Sequence, residues 1–168
     1  CSGHKWLFGP QGSGFMWIHK CIIDKIPRFH FGERIDPDSK ASIFEESGGQ
    51  NFILYAGILE SLRLLKKIGQ QKVKERSLFL ARYFFDILKK SFLRKNFIIT
   101  QNESVILLDW INPINNLPYE YYRSLHKAKI YCKFIKIQDK NTFINRLRFG
   151  IPYFETKSNL EFITEKME

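Results

Sequence analysis

Cysteine is scarce in this chain, and the little there is follows no pattern. The three residues Cys1, Cys21 and Cys132 form no CxxC pair and no spacing that would hold a metal ion. They read as reduced thiols in or near a core, and no metal is expected. An odd count with no redox spacing fits a reducing compartment, so the cytoplasm is the expected location. Long apolar runs are missing too, because Lys and Arg interrupt every candidate membrane span. The first residues are rich in turn formers and lack the apolar stretch of a secretion signal. There is no internal repeat and no low-complexity tract. Acidic residues are few beside basic ones, 17 against 27, which leaves a formal charge of +10. Such a balance can mark a nucleic-acid binder. Here, however, the basic residues are scattered, as in Lys66-Lys67, Lys89-Lys90 and Arg94-Lys95. Most fall on the polar faces of expected helices, so a solvated surface accounts for them and nucleic acid is not an expected partner.

What remains is a globular chain. Hydrophobic residues make up 44% of its 168 positions, enough for one modest domain with a core. The stretch Phe15 to Ile23, "FMWIHKCII", is rich in aromatic and β-branched residues and predicts a strand. A long irregular segment, Ile26 to Glu45, follows it, and Ser47-Gly48-Gly49 makes a sharp break. Phe52 to Ile68 predicts a helix with a stripe of Leu54, Ile58, Leu62, Leu65 and Ile68, stopped by Gly69. A second helix is expected from about Gln71 to Leu93, with Val73, Ser77, Leu80, Ala81, Phe84, Ile87 and Leu88 on one face.

After that the period changes. Phe97 to Ile99 and Val105 to Trp110 read as strands about a polar turn, Thr100 to Ser104. Pro118 suits the first turn of a short helix, Tyr119 to Lys127. Ile130 to Ile137 and Arg146 to Phe149 read as strands, and Ser158 to Lys166 as a closing helix capped by Ser158. The expected class is α/β or α+β.

One stretch fits no regular element. "CSGHKWLFGPQGSGFMW", Cys1 to Trp17, has too much glycine for a helix and too many aromatics for a linker. It predicts a tight loop between apolar elements, with Lys5 at its start and Gly9, Gly12 and Gly14 easing the turns. On spacing alone Lys5 is an ordinary surface lysine, and His4 reads as a structural histidine.

Four stretches together resemble the class V aminotransferases, fold-type I enzymes that depend on pyridoxal phosphate and include isopenicillin N epimerase-like proteins and cysteine desulfurases. "SGHKWLFGPQGSGFMWI" is similar to their lysine segment. "FEESGGQN" resembles a phosphate loop contributed across the dimer, and "YAGILESLRLLKKIG" the helix after it. "LRFGIPYFETKSNLEFI" is similar to their C-terminal arginine motif and closing helix.

The resemblance implies an α/β fold, the C-terminal part of a fold-type I transferase. Residues 1–50 would be the end of the cofactor-binding large domain and residues 51–168 the small domain. It implies an amino-acid substrate, pyridoxal phosphate as cofactor and a homodimer for the full-length parent.

Lys5 would be the Schiff-base lysine, since imine formation needs a primary amine and the same amine can then move the substrate α-proton. Ser2 and His4 would donate to the cofactor phosphate, as a hydroxyl and an imidazole N–H can, although a structural histidine stays open for His4. Gly48 and Gly49 would meet the partner subunit's phosphate. The family usually has threonine at the second of these positions, so Gly49 keeps a backbone donor and loses a hydroxyl. Arg148 would bind the substrate carboxylate through its fork of N–H groups. Arg146, two residues away on the same strand face, is its rival, although the register of the motif favours Arg148.

Other positions depart from the family pattern. Gly150 stands where serine is common, and Phe154-Glu155 where tyrosine-asparagine is common. Cys132 lies in an expected strand, "KIYCKFIK", without the loop of a catalytic desulfurase cysteine, so it reads as a packed residue. The aspartate that meets the pyridine nitrogen precedes the lysine in the family. The chain by itself is thus expected to be catalytically incomplete. A non-catalytic module that retains the small-domain fold is the alternative.

Overall fold

The computed structural model describes residues 1–27, 41, 44, 51–112, 117–139 and 142–168. Two compact units partition it, Cys1–Ile68 and Gly69–Glu168. The division falls one helix later than the boundary at residue 50 drawn from the family resemblance.

The first unit contains a loop, Cys1 to Phe15, a short 3-10 turn, Ile23–Lys25, and helix α1, Phe52–Ile68. The helix matches its sequence pattern end to end. Of the expected stripe, Leu54, Ile58, Leu65 and Ile68 are half-covered, while Leu62 stays exposed and no residue of α1 is fully buried. The strand expected over Phe15 to Ile23 does not form. Ser2 and Gly14 make an isolated bridge, and Phe15, Met16, Trp17 and Ile22 are exposed. Aromatic and β-branched residues favour a strand only where a neighbouring strand and a packed face receive them. Among the described residues this segment has no strand beside it beyond that bridge, and Ile23 is its one buried side chain.

The second unit is a two-layer α/β structure. Helix α2, Gln70–Lys90, buries Ser77, Leu80, Ala81, Phe84 and Leu88, which recur at helical spacing and make one continuous apolar face. A 3-10 turn, Phe92–Lys95, takes up the residues expected to be its last turn. Four antiparallel strands follow, β1 Phe97–Asn102, β2 Val105–Trp110, β3 Lys133–Asp139 and β4 Thr142–Gly150, in the spatial order β1-β2-β4-β3. Helix α3, Leu117–Lys127, lies between β2 and β3 in sequence. Helix α4, Lys157–Met167, closes the chain, and Thr156 rather than Ser158 caps it, its hydroxyl accepting from the Asn159 N–H at 3.2 Å.

Strand alternation sorts the sheet into two faces. Phe97, Ile99, Ile106, Leu108, Leu147 and Phe149 point to one side and are buried with Phe84, Leu88 and Leu160. Burying each such side chain contributes about 1.5–3 kcal/mol relative to exposure. The Phe84 and Phe149 rings meet edge to face at 5.7 Å. Trp110 and Phe134 carry this layer on to Tyr121 and Tyr122 of α3, and the Tyr121 hydroxyl donates to the Met167 carbonyl at the end of α4. The opposite face holds Ile98, Leu107, Asp109, Lys133, Ile135, Arg146 and Arg148, and none of them is buried. All helices of this unit therefore serve one side of the sheet.

Candidate functional site

The loop of Lys5 is held by its own backbone. The Gly3 N–H donates to the Ser13 carbonyl at 2.8 Å, and the Phe15 N–H to the Cys1 carbonyl at 3.0 Å, so residues 1–3 and 13–15 form a short antiparallel base. Two turns fill the interval. One is closed by the Phe8 N–H on the Lys5 carbonyl at 3.0 Å, the other by the Ser13 N–H on the Pro10 carbonyl at 3.1 Å. In the second turn Gly12 has φ +87°, which a type II turn demands at its third residue and which a side chain would strain.

Helix α1 then grips the loop from below. The single Ser61 hydroxyl hydrogen is shared between the Phe8 carbonyl at 2.9 Å and, within the helix, the Gly57 carbonyl at 2.8 Å. Contact is close because three glycines lack a Cβ. One added at Gly57 would lie 2.3 Å from Pro10 Cγ, one at Gly3 2.5 Å from Ile58 Cδ1, and one at Gly9 2.8 Å from Ile58 Cγ1. Ordinary carbon contacts are ~3.5–4.0 Å. Gly3 is buried at the centre of this clamp, while Ser2, His4 and Lys5 beside it are exposed. A cavity of about 400 Å³ lies between the loop and α1, lined by Leu7, Phe15, Leu54, Tyr55 and Ile58 among others, and by none of Ser2, His4 or Lys5.

Ser2, His4 and Lys5 thus ride on a rigid support with their side chains outward, and none makes a hydrogen bond or ion pair to a described residue. Their donor set suits pyridoxal phosphate: a primary amine for the aldehyde, and a hydroxyl and an imidazole for the phosphate oxygens. The candidates Gly48 and Gly49 lie outside the described residues.

In the second unit the two arginines part company. Arg146 Nε donates to Asp109 Oδ1 at 2.6 Å, and its Nη2 to Oδ2 at 2.8 Å. This is the bidentate fork that guanidinium makes with a carboxylate, here between half-buried partners. The hydrogen bond and charge of Asp109 raise the Arg146 pKa further above its already high value, against a smaller opposing effect of burial. Arg148, one alternation further along β4, is exposed and has no partner among the described residues. It sits directly between Leu107 of β2 and Lys133 of β3. The rival guanidinium is therefore engaged and Arg148 is open.

Cys132 is half-buried against the core just before β3, and burial pushes its thiol up to about 12. A thiol held protonated is a poor nucleophile, in keeping with a packing role. The other two cysteines are exposed, not near a core as expected. Among the described residues no group of three or more His, Cys, Asp or Glu could hold a metal ion. Nor is any helix there long and apolar enough to cross a membrane.

Asp109 and Lys133 escaped the sequence reading. Their importance depends on which strand lies beside β4 and in what register, and alternation within a single strand does not reveal that.

The aminotransferase class-V family model matches residues 1–112. No curated protein matches the chain. Among solved structures, 8-amino-7-oxononanoate synthase from Francisella tularensis is similar, with a TM-score of 0.56 and 15% identity over 76% of this chain. Serine palmitoyltransferase from S. paucimobilis, with bound PLP–myriocin aldimine, is similar with a TM-score of 0.56 and 14% identity over 79% of this chain. At these identities the likeness is one of fold, that of the fold-type I pyridoxal-phosphate transferases. The chain spans about a third of the length of each, 35% and 33%.

Proposed function

Because the chain belongs to the class-V aminotransferase family, we propose that it is the C-terminal portion of a pyridoxal-phosphate-dependent enzyme acting on an amino acid, with Lys5 as the Schiff-base lysine. On this proposal residues 1–50 close the cofactor-binding large domain and residues 51–168 form the small domain. The full-length parent is then a cytoplasmic homodimer. The observation that carries the proposal is the Lys5 loop itself. Its backbone is clamped on α1 through Gly3 and Gly57, while Ser2, His4 and Lys5 face outward with no competing partner among the described residues.

When bound, pyridoxal phosphate supplies an electron sink for the electron pair left when a bond to the substrate α-carbon breaks. The chain's own residues hold and orient. Lys5 Nζ would hold the cofactor through its aldehyde carbon, and as a free amine it would serve as the base that moves the substrate α-proton. Ser2 Oγ and an imidazole N–H of His4 would donate to the phosphate oxygens. Arg148 receives the substrate carboxylate in two parallel hydrogen bonds, which sets orientation as well as charge. Arg146 stays paired with Asp109, which leaves Arg148 as the open one of the two β4 arginines.

The test is borohydride reduction of the full chain in the presence of pyridoxal phosphate, followed by peptide mapping. The label is expected on the peptide holding Lys5, well above any other lysine, and absent from it in Lys5→Ala. Label spread evenly over all lysines would overturn the proposal and leave the non-catalytic module.

A further inference from the structure

The open face of the sheet has two rungs that differ in charge balance. One runs Ile98, Asp109, Arg146, Ile135 across the four strands, and its arginine is matched by a carboxylate on the adjacent strand. The next runs Thr100, Leu107, Arg148, Lys133. It holds two cations and no anion. Side chains directly opposite in an antiparallel ladder have Cβ atoms only ~4.5–5.5 Å apart, and like charges so placed destabilise one another. Both cations are exposed, and neither makes a hydrogen bond, ion pair or ring contact with a described residue. Asp109 is no remedy, since both of its oxygens are taken by Arg146. Leu107 and Ile135 flank the pair on the same face and are half-covered, which supplies apolar shoulders around the charged heads.

From this juxtaposition we infer that Lys133 and Arg148 form one site for a doubly anionic ligand, and that the substrate is an amino acid with an acidic side chain. The fork of Arg148 takes the α-carboxylate, and the Lys133 ammonium takes the second acid group as a point charge. The assignment to a substrate rests on the function proposed above. The two-cation site itself does not, because it lies wholly within the second unit and needs no cofactor.

The test uses the full chain without pyridoxal phosphate. Backbone amide resonances are followed while malonate, or acetate at matched ionic strength, is titrated in. Malonate is expected to bind at least about tenfold more tightly than acetate. The largest shifts should fall at Leu107, Lys133 and Arg148. Lys133→Gln should bring malonate down to the acetate level, and Lys133→Arg should keep the preference. Arg148→Gln should abolish both. Equal binding of the two acids, an equal loss of both in Lys133→Gln, or malonate binding that survives Arg148→Gln would each overturn the inference. Because Lys5 takes no part, a failed cofactor label at Lys5 and a failed malonate preference are read separately.

Discussion

Gly57→Ala should loosen the loop that carries Lys5, although alanine is the better helix former. Two opposing effects can be sized. Replacing glycine inside a helix by alanine stabilises by about 0.8–1.0 kcal/mol. The new methyl would stand 2.3 Å from Pro10 Cγ and 2.9 Å from Pro10 Cδ. Both lie well inside ordinary contact, and a proline ring has little freedom to retreat. Overpacking of this kind costs about 1–3 kcal/mol. The net expectation is a loss of up to about 2 kcal/mol if the loop stays docked. If the loop lifts instead, the helix keeps its gain and the Ser61 to Phe8 hydrogen bond is given up. Either way the loop spends more time off the helix, lifted outright in the one case and opening more often from a destabilised docked state in the other. Trypsin cleavage at Lys5 in the full chain should speed up, with the urea midpoint of the helical signal recorded alongside. Pro10→Ala removes the obstructing ring atoms, so in that background Gly57→Ala should stabilise by about 1 kcal/mol. The reasoning is refuted if Gly57→Ala alone gives the full helix-former gain and cleavage at Lys5 is unchanged.

Two further outcomes are expected. Asp109→Asn removes the carboxylate that grips Arg146 in two hydrogen bonds and leaves a half-buried guanidinium unmatched. It should destabilise the fold by about 1–3 kcal/mol, seen as a lower thermal midpoint that Arg146→Gln in the same chain does not worsen by its full single-mutant amount. Cys132, with its thiol pushed up to about 12 by burial, stays protonated at pH 8.5. Iodoacetamide should therefore modify it at least about a hundredfold more slowly than the exposed Cys1 and Cys21, and in urea all three should react alike. The sign follows from the raised value. Folding favours the neutral thiol, so its contribution is complete below the unfolded pKa near 9 and is lost as the pH rises through about 12. Native-state labelling of Cys132 as fast as Cys21 would contradict the burial.

The helices were legible because their signal is carried inside one segment. The four-and-three spacing of Leu54, Ile58, Leu62, Leu65 and Ile68 and the stop at Gly69 needed no partner to be read, and α1 ends where that pattern ends. The β2 span was legible for the same reason, its apolar run being bounded by the turn at Glu103 and Ser104. The stretch from Phe15 to Ile23 carried an equally strong local preference and formed no strand. A strand is stabilised by what lies beside it, and the sequence of one segment says nothing about its neighbour. β4 shows the converse: only Arg146 to Phe149 looked extended, yet pairing with β3 draws in residues back to Thr142.

The same distinction governs the site. Lys5, Ser2 and His4 are adjacent in sequence, so a motif can contain them all, and the structure adds the clamp of α1 that holds their backbone. The motif register favours Arg148, but both arginines fall on one strand face, so alternation alone does not separate them. What separates them is Asp109, which lies 37 residues from Arg146 in the chain and directly opposite it in the sheet. Charge pairing on this face is thus a property of register. A shift of β2 by two residues against β4 would keep every apolar side chain on its own side, bring Asp109 opposite Arg148 or Ile144, and so either close the second rung or leave both arginines open. The observed register does neither. It neutralises one guanidinium, leaves the other beside Lys133, and so confines the unmatched positive charge of this open face, among the described residues, to a single rung.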